Sequence, residues 1–135
     1  MFNGCSSLTS LSINHFDTES ASNMGNMFKS CSSLTSLDIS KFDTSNVVTM
    51  NEMFKSCSNL QNLNIKFNTK KVDNMDSMFA GCEKLESLDL STFDTSKCSS
   101  YNGVFNGCGD LQIIINKNLN TGFISKLPDN VHVKE

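Results

Sequence analysis

The sequence predicts an α/β solenoid of about five stacked repeats, with a concave parallel β-sheet, short helices on the convex side and a C-terminal cap. Three observations predict it. A motif of 25 to 26 residues returns along the chain. Short segments alternate apolar and polar side chains with the period of a strand, and others place apolar residues on one helical face. We assign residues 1–116 to the repeats and residues 117–135 to the cap.

The repeat is visible as columns of equivalent residues. Each unit has a Phe, a Cys three positions later and a Leu three positions after that. The Phe column contains Phe2, Phe28, Phe54, Phe79 and Phe105, the Cys column Cys5, Cys31, Cys57, Cys82 and Cys108, and the Leu column Leu8, Leu34, Leu60, Leu85 and Leu111. The third unit is one residue short between Ile65 and Phe67. We expect that deletion to fall in a turn, where it disturbs the core least.

Each repeat divides into two halves. In residues 34–39, Leu37 and Ile39 alternate with polar residues, which indicates a short strand with one buried face. In residues 50–57, apolar side chains fall at i, i+3, i+4 and i+7, the pattern of one face of a helix. Thr49 and Glu52 form a capping-box pattern at the start of that predicted helix. The equivalent capping positions hold Asn23, Asn74 and Ser100.

A single repeat cannot bury enough apolar surface to offset the conformational entropy of ordering its backbone. Neighbouring repeats must therefore stack, and stability belongs to the stack as a whole. Parallel strands lie about 4.8 Å apart, whereas helix axes need about 8 to 10 Å. This difference predicts an arc with the strands on its inner side.

The two ends of the chain depart from the repeat. Phe123, Ile124 and Leu127 predict a helical turn that ends at Pro128, and residues 131–133 predict a final strand. At the other end the sequence starts inside a repeat, which leaves a predicted edge strand at residues 8–13 without a partner. Either upstream repeats are missing, or this edge pairs with another copy of the chain.

The unit Met-Phe-x-x-Cys-x-x-Leu-x-x-Leu-x-(Ile/Leu)-x-x-Phe-Asp-Thr resembles the repeat of bacterial surface proteins of the BspA-like leucine-rich repeat family. The resemblance covers about residues 1–116, and the ending at residues 127–131 is similar to the terminal cap of that family. It implies a right-handed leucine-rich-repeat solenoid that is displayed on a cell surface or secreted. It also implies adhesion to a host, matrix or neighbouring-cell protein. We expect no leader or anchor within these 135 residues, so the localisation rests on the resemblance.

Composition argues against several other classes of function. The formal net charge is -3 and all eleven basic residues are Lys, so the bidentate Arg contacts typical of nucleic-acid recognition are absent. We therefore expect no nucleic-acid partner. No apolar run approaches the roughly 18 residues that span a bilayer, and we expect no membrane insertion by this segment.

The reactive residue types have structural interpretations. Five of the six Cys share one column on an apolar face, and Cys98 occupies the apolar position of Ala21, Val47 and Val72. We interpret all six as core thiols, with a disulfide or a metal site as the alternatives. Asp17, Asp43 and Asp94 precede Thr in a turn, where we expect them to satisfy the turn backbone rather than bind a cation.

His15 and His132 have no recurring nucleophile or carboxylate near them in sequence. We read Glu83 and Glu86, on either side of a strand start, as solvated. The sequence therefore predicts no catalytic residue, no metal, no cofactor and no enzyme activity.

The remaining candidate is the outward face of the predicted sheet, where the repeats differ from one another. We predict partner binding there by Ser10, Ser12, Ser36, Asp38, Asn62, Asn64, Ser87 and Asp89. Ile113 and Ile115 either continue these columns or lie beneath the cap. The predicted function is a non-enzymatic protein-protein interaction and adhesion module. The alternative is a structural spacer within a larger surface protein whose binding site lies elsewhere.

Overall fold

A computed structural model describes residues 1–134 of the protein. The strands within these residues are β1 (Ser36–Asp38), β2 (Asn62–Asn64), β3 (Ser87–Leu90), β4 (Leu111–Ile115) and β5 (Val131–Val133). A 3-10 turn at Lys117–Leu119 and a short helix α1 at Thr121–Ile124 separate β4 from β5. The strands form two parallel sheets, β1-β2 and β3-β4-β5. Glu135 lies outside the described residues.

The strands pair with the equivalent residues of the next repeat. Leu37 lies opposite Leu63, and Leu88 lies opposite Ile113, both in parallel register. In β1 and β3, Leu37, Leu88 and Leu90 are buried and the residues that alternate with them are exposed. The predicted alternation of these strands is confirmed.

The predicted helices on the opposite side of each repeat are wrong. Residues 51–56 form consecutive turns, in which Glu52 (φ 56°) and Ser56 (φ 63°) have left-handed backbone conformations. A right-handed helix cannot pass through such residues, because its backbone requires φ near −63°. The same pair of left-handed positions recurs in the neighbouring repeats: Asn26 and Ser30, Ser77 and Gly81, and Gly103 and Gly107.

The turns are held together by hydrogen bonds between repeats. The Phe28 N–H donates to the Met53 carbonyl at 2.9 Å, and the Phe54 N–H donates to the Met78 carbonyl at 2.8 Å. The N–H groups on either side, two residues away, do the same. We call this side of the repeats the turn face. It is a second line of contact between the repeats, and it satisfies backbone groups that a helix would have satisfied internally.

The predicted capping box does not form. Thr49 forms two isolated parallel bridges, one with Asn23 and one with Asn74. Its hydroxyl donates to the Asn51 side chain. Glu52 instead forms ion pairs with Lys29 and Lys55. The turn face does not contain the helices that would need wider spacing than strands, so the predicted arc has no support from helix packing.

The core between the two faces is a set of aligned columns. The five Phe rings of the repeat stack nearly parallel, with successive centroids 5.5 to 5.6 Å apart. The interior rings, Phe28, Phe54 and Phe79, are fully buried. Met, Leu and Cys side chains surround them, so a buried residue of one repeat contacts its equivalents above and below.

A buried Thr column also joins the repeats. The Thr44 hydroxyl donates to the Asn68 carbonyl at 3.1 Å and accepts from the Asn68 N–H at 2.8 Å. Thr69 makes the same pair of bonds with Asp94 at 3.0 and 2.8 Å. The preceding Asp or Asn caps its own turn, as Asp43 does for the Ser45 N–H at 2.9 Å. The turn role predicted for the Asp column is therefore confirmed, whereas the Thr hydroxyls bridge to the next repeat.

This column gives a stability prediction. Thr69→Val keeps the shape of the side chain and removes its hydroxyl, which leaves the Asp94 N–H and carbonyl without partners in a nearly closed site. We expect a loss of about 2 to 4 kcal/mol in the free energy of unfolding, measured by urea titration. Thr69→Ser, which retains the hydroxyl, is the control. Equal losses in the two variants would show that the bridge does not stabilise the fold.

The C-terminal segment closes one end of the stack. Phe123 of α1 packs edge-on against the Phe105 ring at 6.0 Å, and β5 pairs in parallel with β4. The buried Asn120 side chain ends the Thr column, because it accepts from the Thr95 N–H and hydroxyl at 2.9 and 2.8 Å. The predicted helical turn before Pro128 and the predicted strand at residues 131–133 are confirmed.

The predicted edge strand at residues 8–13 is wrong. These residues have no strand assignment, and one long bond, from the Thr35 N–H to the Thr9 carbonyl at 3.4 Å, connects their backbone to β1's repeat. The first repeat is joined to the second on the turn face, where the Phe2 and Gly4 N–H groups donate to the Met27 and Lys29 carbonyls at 2.9 and 2.8 Å, and by side chains such as the Thr18 hydroxyl, which bonds to Asp43. The N-terminal end of the stack therefore exposes turn-face backbone and the Phe2 ring, not an open strand.

Candidate functional site

The predicted binding residues lie at exposed positions. All eight are exposed, and Ser36, Asp38, Asn62, Asn64, Ser87 and Asp89 lie on the outward face of β1, β2 and β3. We call this surface the sheet face. These six residues also line one shallow cleft of about 370 Å³. Ser10 and Ser12 belong to residues 8–13, which have no strand, so they do not extend the sheet.

The carboxylates of the sheet face have defined local partners. Asp38 Oδ1 accepts from the Ser40 N–H at 3.0 Å and from the Ser40 hydroxyl at 2.7 Å. These two hydrogen bonds lower the pKa of the Asp38 carboxyl below its ordinary value. Asp89 accepts from the Ser91 N–H at 2.9 Å in the same way. Each Asp therefore holds the turn after its strand and presents a negative charge to solvent.

A second, larger cleft lies along the N-terminal ends of β2, β3 and β4. Its volume is about 800 Å³. Its lining residues are Gln61, Asn62, Glu83, Lys84, Glu86, Ser87, Asp110 and Gln112. The cleft is acidic, with three carboxylates and one ammonium group, and the Lys84 ammonium is bonded to the Asn59 side chain at 2.7 Å. The sequence pattern predicts that Glu83 and Glu86 are solvated. The structure places both of them with Asp110 in this cleft, a grouping that their spacing along the chain does not reveal.

The register of β4 corrects the predicted columns. Gln112 and Ile114 lie opposite Ser87 and Asp89, whereas Ile113 and Ile115 are buried. Gln112 follows Leu111 directly, whereas its partner Ser87 lies two residues after Leu85, so β4 is displaced by one residue relative to the repeat. A shift of one residue exchanges the two faces of a strand. Ile113 and Ile115 are therefore core residues, and the sheet face ends in Gln112 and the exposed Ile114.

The Cys column is part of the core. The Cys57 thiol donates to the Phe28 carbonyl at 3.1 Å, and the Cys82 thiol donates to the Phe54 carbonyl at 3.2 Å. Cys31 and Cys108 make the same contact one repeat away at 3.2 Å. Cys98, outside this column, donates to the Asp73 and Ser100 carbonyls at 3.3 Å. All six thiols are free, and each bonded thiol satisfies a backbone carbonyl rather than facing a substrate.

Burial makes these thiols poor nucleophiles and gives a pH prediction. Desolvation, with a smaller effect of the adjacent thiol, raises the pKa of Cys57 to about 12. Desolvation likewise raises the pKa of Cys108 to about 11. The unfolded chain releases these protons at lower pH than the folded chain does. The stability that these thiols contribute is therefore complete below about pH 9 and is lost as the pH rises through the folded values.

We expect the free energy of unfolding of the reduced protein to fall between pH 8 and pH 10.5. The contribution of each buried thiol is on the order of 1 kcal/mol per pH unit above its unfolded pKa. Urea titrations at the two pH values measure the fall, and Cys57→Ala should reduce it. An identical fall in the variant would mean that other groups control alkaline unfolding.

The described residues contain no group of three or more His, Cys, Asp or Glu side chains arranged to hold a metal ion. The His15 ring packs edge-on against Phe16 at 5.2 Å, and His132 lies on the exposed side of β5. Among residues 1–134, the structure contains no helix that is long and apolar enough to cross a membrane. The predicted absence of a catalytic residue, metal or cofactor stays a prediction.

These features define a repeat protein in which successive units pair in parallel, with an aligned core and a polar, acidic sheet face. The chain belongs to the family described as "Mycoplasma protein of unknown function, DUF285", which it matches over residues 1–118. The match covers the five repeats and ends within the 3-10 turn that follows β4. Searches of the curated proteins and of the solved structures gave no significant match.

Proposed function

We propose that this protein is a non-enzymatic protein-protein interaction module that binds a partner through the sheet face. The observation that carries the proposal is the cleft of about 370 Å³, because six of the eight residues predicted from sequence line it together. Their backbones are fixed by parallel pairing and their short polar side chains lose little entropy on binding. Such a surface offers many hydrogen-bonding groups in a fixed arrangement.

The charge of this surface indicates the kind of partner. Asp38 and Asp89 lie on the sheet face, and the adjoining cleft adds Glu83, Glu86 and Asp110. Complementary potentials favour association and select among partners. We therefore infer that the partner is a protein segment rich in Lys or Arg.

The proposal extends to the architecture and location of the protein. We infer that the repeats are the coils of a right-handed solenoid of the BspA-like leucine-rich type, displayed on a cell surface or secreted. Its support is the parallel pairing of equivalent residues on both sides of each repeat, and the motif that resembles that family. The partner is then a host, matrix or neighbouring-cell protein.

The experiment separates charge from structure. Asp38→Asn combined with Asp89→Asn removes both charges but keeps the oxygens that accept from Ser40 and Ser91. We expect the labelled protein to lose most of its binding to cultured host cells and to matrix-coated surfaces while its melting temperature is unchanged. Glu19→Gln combined with Asp129→Asn is the matched control, because these exposed carboxylates lie away from the sheet face.

Unchanged binding by the Asp38 and Asp89 variant would reject the sheet face. A different outcome, in which the unmodified protein bound neither the cells nor the matrix-coated surfaces, would favour the alternative function as a structural spacer in a larger surface protein. The continuous backbone hydrogen bonds between successive repeats suit that role, since they give a stiff unit of fixed length.

We also propose that the exposed N-terminal end of the stack associates with another repeat surface. Met1, Phe16, Ala21, Met24 and Met27 contribute to a largely apolar depression of about 330 Å³ at this end. A preceding repeat or a second copy of the chain would cover it. Sedimentation of the polypeptide of residues 1–135 tests self-association, and a strictly monomeric species at high concentration would reject it.

A further inference from the structure

The last repeat has a row of backbone donors that no other part of residues 1–134 uses. In the preceding repeat, the N–H groups of Met75, Ser77, Phe79 and Gly81 donate to carbonyls of the last repeat at 2.7 to 2.9 Å. The equivalent N–H groups one repeat later belong to Tyr101, Gly103, Phe105 and Gly107. These four groups have no acceptor among the described residues. They face the end of the stack that the C-terminal segment covers.

The C-terminal segment covers the Phe column but does not reproduce the turn face. Phe123 meets Phe105 with an interplanar angle of 69°, whereas successive Phe rings in the repeats are within 5° of parallel. α1 contains four residues, and none of its carbonyls accepts a hydrogen bond from the row of donors. A cavity of about 240 Å³ remains between the C-terminal segment and the row of donors. Its lining includes Tyr101, Gly103, Phe105, Phe123, Lys126 and Leu127.

The chemistry of this cavity is that of an acceptor site. Gly103 (φ 61°) lines the cavity and Gly107 (φ 71°) lies beyond its lining, and both hold the left-handed conformations of the turn face. Alternating backbone of this kind aligns N–H groups so that they can bind acceptor oxygens. The Lys126 ammonium lies 5.1 Å from the centre of the Tyr101 ring, at the edge of the cavity. No Asp or Glu lines it, and Phe123, Leu127 and Pro128 give it an apolar wall.

The spacing of the donors identifies the ligand further. The four N–H groups occur at every second residue. In each of the preceding repeats, the equivalent N–H groups donate to peptide carbonyls of the next repeat at the same spacing. Their complement is therefore a row of peptide carbonyls rather than a compact anion. Lys126 supplies the charge that a terminal carboxylate would match.

We propose that this cavity binds the C-terminal end of a peptide, with backbone carbonyls on the N–H row, the terminal carboxylate at Lys126 and an apolar side chain against Phe123 and Leu127. The peptide adds the backbone that a further repeat would otherwise have supplied. A second copy of the chain does not fit in its place, because the flat position on Phe105 that its Phe2 would need is already held by Phe123. The site is separate from the sheet face and does not depend on its function.

Amide chemical shifts recorded by NMR test the proposal directly. The probe is the peptide acetyl-Gly-Ser-Ala-Leu with a free carboxylate, titrated into the full chain to millimolar concentration. We expect saturable shifts of the Gly103, Phe105 and Gly107 amides. The same peptide with an amidated C-terminus should bind about tenfold more weakly, as should the free acid to Lys126→Gln, which is the loss typical of one charged hydrogen bond.

Lys66→Gln, at an exposed position in a corner of the third repeat, is the matched control and should bind as the unmodified protein does. The variant with Asp38→Asn and Asp89→Asn should also be unaffected. Absence of shifts in these amides would overturn the proposal, and so would equal affinity for the acid and the amide. Equal affinity for acetate alone would overturn the assignment to a peptide.

Discussion

Replacing Phe54 by Ala should remove most of the stability of this protein. Phe54 is fully buried in the middle of the ring column and contacts Phe28 and Phe79, each with centroids 5.5 Å away. The substitution loses the transfer free energy of the ring and leaves a cavity that the two neighbouring rings hold open. We expect the free energy of unfolding to fall by about 3 to 5 kcal/mol. A domain of this size has about 5 to 15 kcal/mol in total.

Urea unfolding followed by circular dichroism measures the loss. Phe2→Ala is the control, because Phe2 is half-buried and stacks on one ring, Phe28, so its loss should be clearly smaller. A fall below about 1 kcal/mol for Phe54→Ala, which is the ordinary effect of a point mutation, would contradict the continuous column. The same result would follow if the rings did not stack across repeats in solution.

Replacing Asn120 by Leu should be the most damaging change outside the repeats. Its side chain donates to the Phe93 and Asn116 carbonyls at 2.9 and 2.7 Å and accepts two bonds from Thr95. Leu fills the space but leaves Thr95 and Phe93 with buried polar groups that have no partner. We expect a loss of about 2 to 4 kcal/mol, since each stranded group costs about 1 to 3 kcal/mol unless the segment opens to water.

Asn118→Leu, two residues earlier and exposed, should change stability by less than about 0.5 kcal/mol. Hydrogen exchange gives a second measurement that is local to the site. The Thr95 amide should exchange slowly in the unmodified protein and quickly in Asn120→Leu. Slow exchange in that variant would mean that Asn120 does not close the end of the Thr column.

The sequence alone predicted which residues are in the core. The Phe, Cys and Leu columns recur at equivalent positions, and repeats that stack must place equivalent side chains above one another. It also predicted the outward positions of β1 to β3, because alternation along a short strand fixes which residues point away from the core.

The sequence pattern did not predict the backbone of the turn face. Apolar spacing at i, i+3, i+4 and i+7 suits a helix, yet consecutive turns bury the same positions. The signal that was missed is the residue type at the left-handed positions. Gly81, Gly103 and Gly107 align there with Asn26, Ser30 and Ser56, and Gly and Asn are the residues that accept that conformation most easily.

The candidate sites show the same division. The residues of the sheet face could be named from the sequence. The acidic cleft could not, because it brings together residues of three repeats at the starts of β2, β3 and β4. The β4 columns were assigned one residue out of register. The donor row at residues 101–107 was not predicted. It exists because the residues that follow this repeat, up to residue 134, do not continue the line of backbone hydrogen bonds between repeats.

The amino-acid sequence by itself determined the repeat, the composition of the core columns and the polar character of the sheet face. These features depend on which side chains are apolar, and that property belongs to each residue type whatever the fold. Only the tertiary structure decided between helix and turn, fixed the register of β4 and left backbone donors at residues 101–107 without acceptors among residues 1–134. Those features depend on whether an N–H finds its acceptor within its own repeat or in the next one, about 26 residues away.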